Sequence, residues 1–262
     1  MEKSKVKNKT AKVKKDSPKG REGNFSRKTT ETDIKLSLNL DGKGIYDIDT
    51  GVPFFNHMLE QFSKHSRFDM AIKAKGDIEV DLHHLIEDTG IVIGRAIKKL
   101  AGDKSGIRRF GFASVPMDET LIQTSVDFCG RSFFVYNPIS YSQIIISGDN
   151  PFPPMSAEEI RKERSEIISV LNRNKDNKDI IKSPLMQSII GESTVKSFFY
   201  DYVNIFFEAI SKNALITLHI NIIYGNNKHH MVEAMFKSAG IAVSDALKVV
   251  GGDGIPSTKG SI

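Results

Sequence analysis

One chemical word occurs twice in this chain and constrains the plan it can fold to. His-His-x-x-Glu stands at His83, His84 and Glu87 in DLHHLIEDTG, and again at His229, His230 and Glu233 in KHHMVEAMFK. Each word enters a long run with apolar residues at helical spacing, 83–102 and 229–250. The segments ahead of the two runs follow one order. In the first half, DIKLSLNLDG alternates and turns at Asp41-Gly42, FFNHMLEQFSKHS (54–66) has helical spacing, and FDMAIKAKGDIEVD (68–81) reads as two strands around Gly76-Asp77. In the second half, 106–137 supply strands, 201–214 a helix, and 215–227 a strand and turn. The expected fold class is α+β with internally duplicated halves, each reading strand, strand, helix, strand, strand, helix, related by a pseudo-twofold axis.

The words also carry chemistry. Positions i and i+4 of a helix share a face, as do i+1 and i+4, so each word aims imidazole nitrogens and a carboxylate at one point. That is a ligand set for a divalent cation, and two copies suggest two cations. Histidine and glutamate without cysteine suit Mn²⁺ or Zn²⁺, and the residues alone do not choose between them.

Composition excludes several classes. No apolar run reaches the length of a membrane span, and no apolar stretch near the start reads as a secretion signal. Cys129 is the sole cysteine, which suits a reducing cytoplasm. The net charge of +5 belongs to a tail: residues 1–30 hold eleven Lys or Arg against three acids, so the remainder is acidic. Residues 1–20 hold almost no large apolar side chains, and 1–26 are expected to be a disordered basic tail. Neither nucleic acid nor membrane is expected as a partner. The ordered body is expected from Arg27, as pseudo-repeats 27–105 and 106–262. Residues of about 139–195 have no counterpart in the first half and read as an insertion, with a helix expected behind the capping box of Ser156 and Glu159.

Six separated stretches, LNLDGKG, DTGVPFFNHMLEQFSKHSRFD, DLHHLIEDTGIVIGRAI, GIRRFGFASVPMDETL, HHMVEAMFKS and GIPSTKG, stand in the order and spacing of a known family. Through them the chain resembles the imidazoleglycerol-phosphate dehydratases of histidine biosynthesis, from about Arg27 to Ile262 outside the insertion. The resemblance implies helices packed between two β-sheets, a ribosomal protein S5 domain 2-like fold. It also implies a large homo-oligomer, a 24-mer, with active sites between neighbours and two Mn²⁺ in each. The implied reaction dehydrates a phosphorylated imidazole, D-erythro-imidazole-glycerol phosphate, to imidazole-acetol phosphate. Metal binding would lower the pKa of the substrate's ring and help the hydroxyl leave, while a carboxylate moves the protons.

Site residues are implied one by one. His57, with His83, His84 and Glu87, matches the metal ligands of the first half; His229, His230 and Glu233 match those of the second. Glu31 in TTETD matches the acidic residue near the substrate, with Glu87 and Glu233 as further catalytic carboxylates, and Asp118-Glu119 reads as structural. Gln61 and His65 match substrate-side positions. Arg109, Arg131, Lys237, Ser257 and Lys259 match phosphate-binding positions, where guanidinium forks and ammonium groups meet phosphate oxygens. Two departures stand out. Ile205 occupies the place where the family's second half brings a histidine, 24 residues ahead of His229, so the second site is expected to lack a ligand. Leu82 replaces an aspartate that would orient an imidazole. The alternative function is a metal-impaired homologue acting as a non-catalytic assembly or binding subunit.

Overall fold

The computed structural model describes residues 20–137, 195, 198–252 and 254–260. The first sheet contains β1 (Glu22–Lys28), β2 (Thr32–Asn39), β3 (Tyr46–Asp49) and β4 (Asp69–Gly76), in the order β1-β2-β4-β3. Alternation decides its faces. Ile34, Leu36 and Leu38 of β2 and Met70, Ile72 and Ala74 of β4 are buried, while Lys35, Ser37 and Lys73 between them are exposed. The second sheet contains β5 (Phe110–Met117), β6 (Thr120–Asp127), β7 (Phe133–Asn137) and β8 (Thr217–Tyr224), in the order β5-β6-β8-β7. That is the same permutation. The helices are α1 (Pro53–Ser66), α2 (His83–Ala101), α3 (Val203–Ala214) and α4 (Lys228–Leu247), with a π-helical turn over Phe198–Tyr202 leading into α3. The fold is α+β and duplicated. Among the described residues, no helix is long and apolar enough to cross a membrane.

Several expected details are corrected. Each half reads strand, strand, strand, helix, strand, helix. The first hairpin does not turn at Asp41-Gly42. It joins β1 to β2 through Thr29–Thr32, where the Thr29 N–H donates to the Thr32 carbonyl at 2.9 Å. β3 then runs parallel to β4, a pairing that needs a crossover, and α1 supplies it. Residues 68–81 hold one strand, because the chain turns after Gly76 to deliver His83. The body also begins earlier than Arg27, since β1 pairs with β2 from Glu22 onward. α4 ends at Leu247, short of 250. Residues 1–19, nearly all of 139–195, and the Ser156–Glu159 capping box lie outside the described residues.

Helices of opposite halves pack together, α1 on α4 and α2 on α3. Two glycines make this possible. Gly94 and Gly240 stand at the same distance after the first histidine of their helices. A Cβ on Gly94 would lie 2.8 Å from the Ile210 carbonyl oxygen, and one on Gly240 2.7 Å from that of Phe62. Only glycine permits such close approach. Phe206 and Phe236 stack at 5.0 Å where the helices meet.

The loop before β3 hangs on one carboxylate. Asp69 Oδ1 accepts the N–H of Lys43 at 2.8 Å and of Ile45 at 2.9 Å. Burial pushes the Asp69 carboxyl up, but these and neighbouring donors outweigh it and hold its pKa below the ordinary 3.8. A depressed carboxylate pKa stabilises the fold above its unfolded value, and the gain is lost as pH falls through the folded value. Asp69→Ala is therefore expected to cost about 1–3 kcal/mol at neutral pH. Urea denaturation should show the gap from wild type closing in acid; a gap independent of pH would contradict this assignment.

Candidate metal centre and substrate site

Both His-His-x-x-Glu words sit in the first turns of their helices, where free backbone N–H groups and the helix dipole favour carboxylates and neutral imidazoles. Asn227 caps α4, its side-chain oxygen accepting the His229 N–H at 2.9 Å and the His230 N–H at 3.3 Å. His57 comes from α1 to meet this helix. Its Nε2 lies 3.2 Å from Glu233 Oε2, and His229 Nε2 lies 3.1 Å from the same oxygen. Lys237 donates to the other oxygen, Oε1, at 2.6 Å. Burial pushes the Glu233 carboxyl up, yet Lys237 and His57 outweigh it and hold the group below its ordinary value. One atom each from His57, His229 and Glu233 lie within 4.8 Å of one another, a set that fits one divalent cation. The grouping by halves is thereby corrected. His57 joins the α4 word because α1 packs on α4.

The second histidine of each word has a different partner. His230 Nδ1 lies 2.9 Å from Glu119 Oε2, and Glu119 Oε1 accepts from the Asn227 N–H and from Thr120. Burial opposes ionisation of Glu119, but these donors prevail and its pKa falls to about 2. His84 Nδ1 lies 3.1 Å from Asp77 Oδ2, which raises the imidazole pKa, and 3.8 Å from Glu31 Oε2. A carboxylate at Nδ1 fixes the tautomer and leaves the lone pair on Nε2, which at His230 faces Asp118 Oδ2 at 3.8 Å. Asp77 thus supplies the orientation expected to be missing at Leu82, and Asp81 accepts the His83 N–H at 2.7 Å.

Glu31 sits at the tip of the β1–β2 hairpin, which α2 anchors through Asp88. Arg27 Nε and Thr32 Oγ1 reach that buried carboxylate at 2.7 and 2.5 Å. Glu119 sits at the equivalent tip of β5–β6 and likewise precedes a buried threonine. The duplication therefore sets Glu31 beside His84 and Glu119 beside His230. Asp77 and the His230-facing role of Glu119 were missed from sequence. The repeated Glu-Thr pair at 31–32 and 119–120 was the signal that could have found the second.

The substrate candidates do not converge within one chain. Half-buried Gln61 lies on α1, and so does His65, whose pKa is lowered first by burial and then by Lys237. At the far end of α4, Arg109 forks onto Asp127, with Nε at 2.7 Å from Oδ1 and Nη2 at 3.2 Å from Oδ2. It also donates to the Pro256 carbonyl at 2.8 Å. Arg109 is thus already engaged, and it braces the segment carrying Ser257 and Lys259. Ser257 Oγ accepts the Lys259 N–H at 3.2 Å, and Arg131 is exposed before β7.

Comparison with known proteins identifies the family. A sequence profile of the imidazoleglycerol-phosphate dehydratase family matches residues 50–150 and 178–243, so 151–177 fall outside it. The chain is 40% identical to the imidazoleglycerol-phosphate dehydratase of Thermodesulfovibrio yellowstonii, over 92% of this chain and 100% of that one. It is 41% identical to that of Clostridium acetobutylicum, over 91% and 96%. Among solved structures, the Staphylococcus aureus dehydratase superposes with a TM-score of 0.56 at 29% identity, over 87% of this chain and 99% of that one. The Pyrococcus furiosus enzyme does so with 0.58 at 26%, over 90% and 99%. The chain belongs to the imidazoleglycerol-phosphate dehydratase family and is a lyase of histidine biosynthesis.

Proposed function

We propose that the chain dehydrates D-erythro-imidazole-glycerol phosphate to imidazole-acetol phosphate with Mn²⁺ as its cation. The meeting of His57, His229 and Glu233 across two helices carries the reading, since it brings three donors of the right chemistry to one point in a chain of this family. His83 and Glu87, 3.8 Å apart on α2, offer the second ligand set. Bound metal would supply Lewis-acid polarisation of the substrate's imidazole. The chain's own groups do the rest. Asp77 and Glu119 hold His84 and His230 in one tautomer. Glu31, half-exposed beside His84, is placed to carry a proton between carbon and the departing hydroxyl. Lys237 supplies positive charge beside the buried Glu233, and Arg131, Ser257 and Lys259 supply donors for phosphate.

Because those donors lie apart within one chain, the reading includes self-association into the family's 24-mer, with each site completed by a neighbour. Outward-facing Phe110, Phe112 and Phe133 on the second sheet, each more than half exposed, support an assembly that covers them. The test is turnover by protein stripped with a chelator and refilled. Activity should vanish on stripping and return with Mn²⁺. Undiminished turnover by metal-free protein, or none after refilling, would refute the reading; the latter would favour the non-catalytic alternative.

A further inference from the structure

The duplication lets the two centres be compared residue by residue, and they are not equal. Around α4, Glu233 has 8% of its side chain exposed and is shared by His57, His229 and Lys237. Around α2, Glu87 has 47% exposed and its histidine partner is His83 at 3.8 Å.

The cause lies in what faces each word. α1 and α3 are equivalent helices, and their contacts fix the register. The Phe62 carbonyl abuts Gly240 on one side as the Ile210 carbonyl abuts Gly94 on the other. Counting back equally from Phe62 and Ile210 pairs His57 with Ile205. The Phe206 carbonyl lies 2.7 Å from where a Cβ on Gly90 would stand, so α3 runs alongside α2 and brings residue 205 level with the turn that holds Glu87. Ile205 is half-buried against the core. The position on α2 equivalent to Lys237 is Ile91, also half-buried. Glu87 thus has two aliphatic side chains in the places where Glu233 has an imidazole and an ammonium.

From sequence order the missing histidine is charged to the second half and its His229 word. The cross-packing of helices moves the deficit to the other word. We propose that the centre of His57, His229 and Glu233 is the high-affinity divalent-cation site, filled first, and that the centre of His83 and Glu87, one protein donor short because of Ile205, is the low-affinity site, filled last. The proposal rests on the metal-dependent reading above.

The experiment is Mn²⁺ binding to the full-length, chelator-stripped protein, followed by the electron paramagnetic resonance signal of free Mn²⁺. Wild type is compared with Glu233→Gln, Glu87→Gln and Ile205→His, each checked by circular dichroism. Wild type should show two classes of site with dissociation constants at least about tenfold apart, since even outer groups change metal affinity by about 10–100-fold. Glu233→Gln should remove the tight class, and Glu87→Gln should spare it and remove the weak one. Ile205→His should tighten the weak class by about tenfold or more. Loss of the tight class in Glu87→Gln, equal losses in both carboxylate variants, or two equal sites in wild type would overturn the asymmetry while leaving metal dependence intact. Wild type that binds no Mn²⁺ would overturn the metal reading itself. Should Ile205→His fail to fold, the two carboxylate variants decide alone.

Discussion

Glu233→Gln is expected to lower kcat by about a thousandfold at saturating Mn²⁺, corresponding to roughly 4 kcal/mol of lost transition-state stabilisation. The substitution keeps the shape of the side chain and removes its charge. Glu233 Oε2 faces His57 and His229, while Oε1 takes the Lys237 ammonium. An amide can offer one oxygen and one NH₂ group, so it cannot serve both sides as an acceptor. Whichever way the amide turns, either the imidazole side or Lys237 meets a donor in place of an acceptor. Lys237 then loses the partner that lets it sit half-buried, and its charge is no longer held near the site. Glu208→Gln, an exposed change on α3 at a residue paired with Lys212, is the control and should leave kcat within about twofold. Steady-state kinetics decide the matter. A loss under tenfold for Glu233→Gln would show that the α4 cluster is not the reaction centre.

Which parts of this were legible in the sequence follows from where the information lies. The repeat of His-His-x-x-Glu at the head of two amphipathic runs is a local pattern, and both helices begin at those words. The alternation of Ile34, Leu36 and Leu38 is local too, and it gave β2 its inward face. Strand partners are not local. The notion of a turn at Asp41-Gly42 was chemically reasonable, yet β3 pairs in parallel with β4 because α1 carries the chain across the sheet. The most consequential difference has the same origin. Sequence order assigns His57 to the half it belongs to, whereas ridge and groove packing sets α1 on α4. Sequence order cannot say which histidine faces which carboxylate when the helices of two repeats exchange partners. Family resemblance supplied the identity of the candidates, including Glu31 and the phosphate residues, which as isolated residues are ordinary surface groups. It did not reveal that Arg109 is already forked onto Asp127. Nor did it reveal that Asp77 does the orienting work expected of a residue at position 82.

Gly111→Ala should cost more than about 3 kcal/mol of stability, a single methyl group with the effect of a large core change. Gly111 lies in β5 where the strand crosses α4. A Cβ there would stand 1.9 Å from the Ala242 carbonyl oxygen, 2.8 Å from the Ala246 nitrogen and 2.9 Å from the Ala242 carbonyl carbon. All three are backbone atoms, so no rotamer change can relieve the overlap, and strand and helix must part. They are not free to do so. Arg109 N–H donates to the Ala246 carbonyl and Arg108 N–H to that of Lys248, both at 2.8 Å, tying β5 to the end of α4. Farther along, α4 is held to α1 where Gly240 meets the Phe62 carbonyl. A displaced α4 would carry His229 and Glu233 away from His57, so the variant's folded fraction should also bind Mn²⁺ more weakly. Gly102→Ala provides the contrast. Gly102, unlike Gly111, has a glycine-specific backbone, with φ of 60°, but nothing lies within 4 Å of its would-be Cβ. Its cost is the conformational one alone, about 1–3 kcal/mol. Urea midpoints of the two variants measure the difference. If Gly111→Ala costs no more than Gly102→Ala, β5 and α4 are not in backbone contact at Gly111.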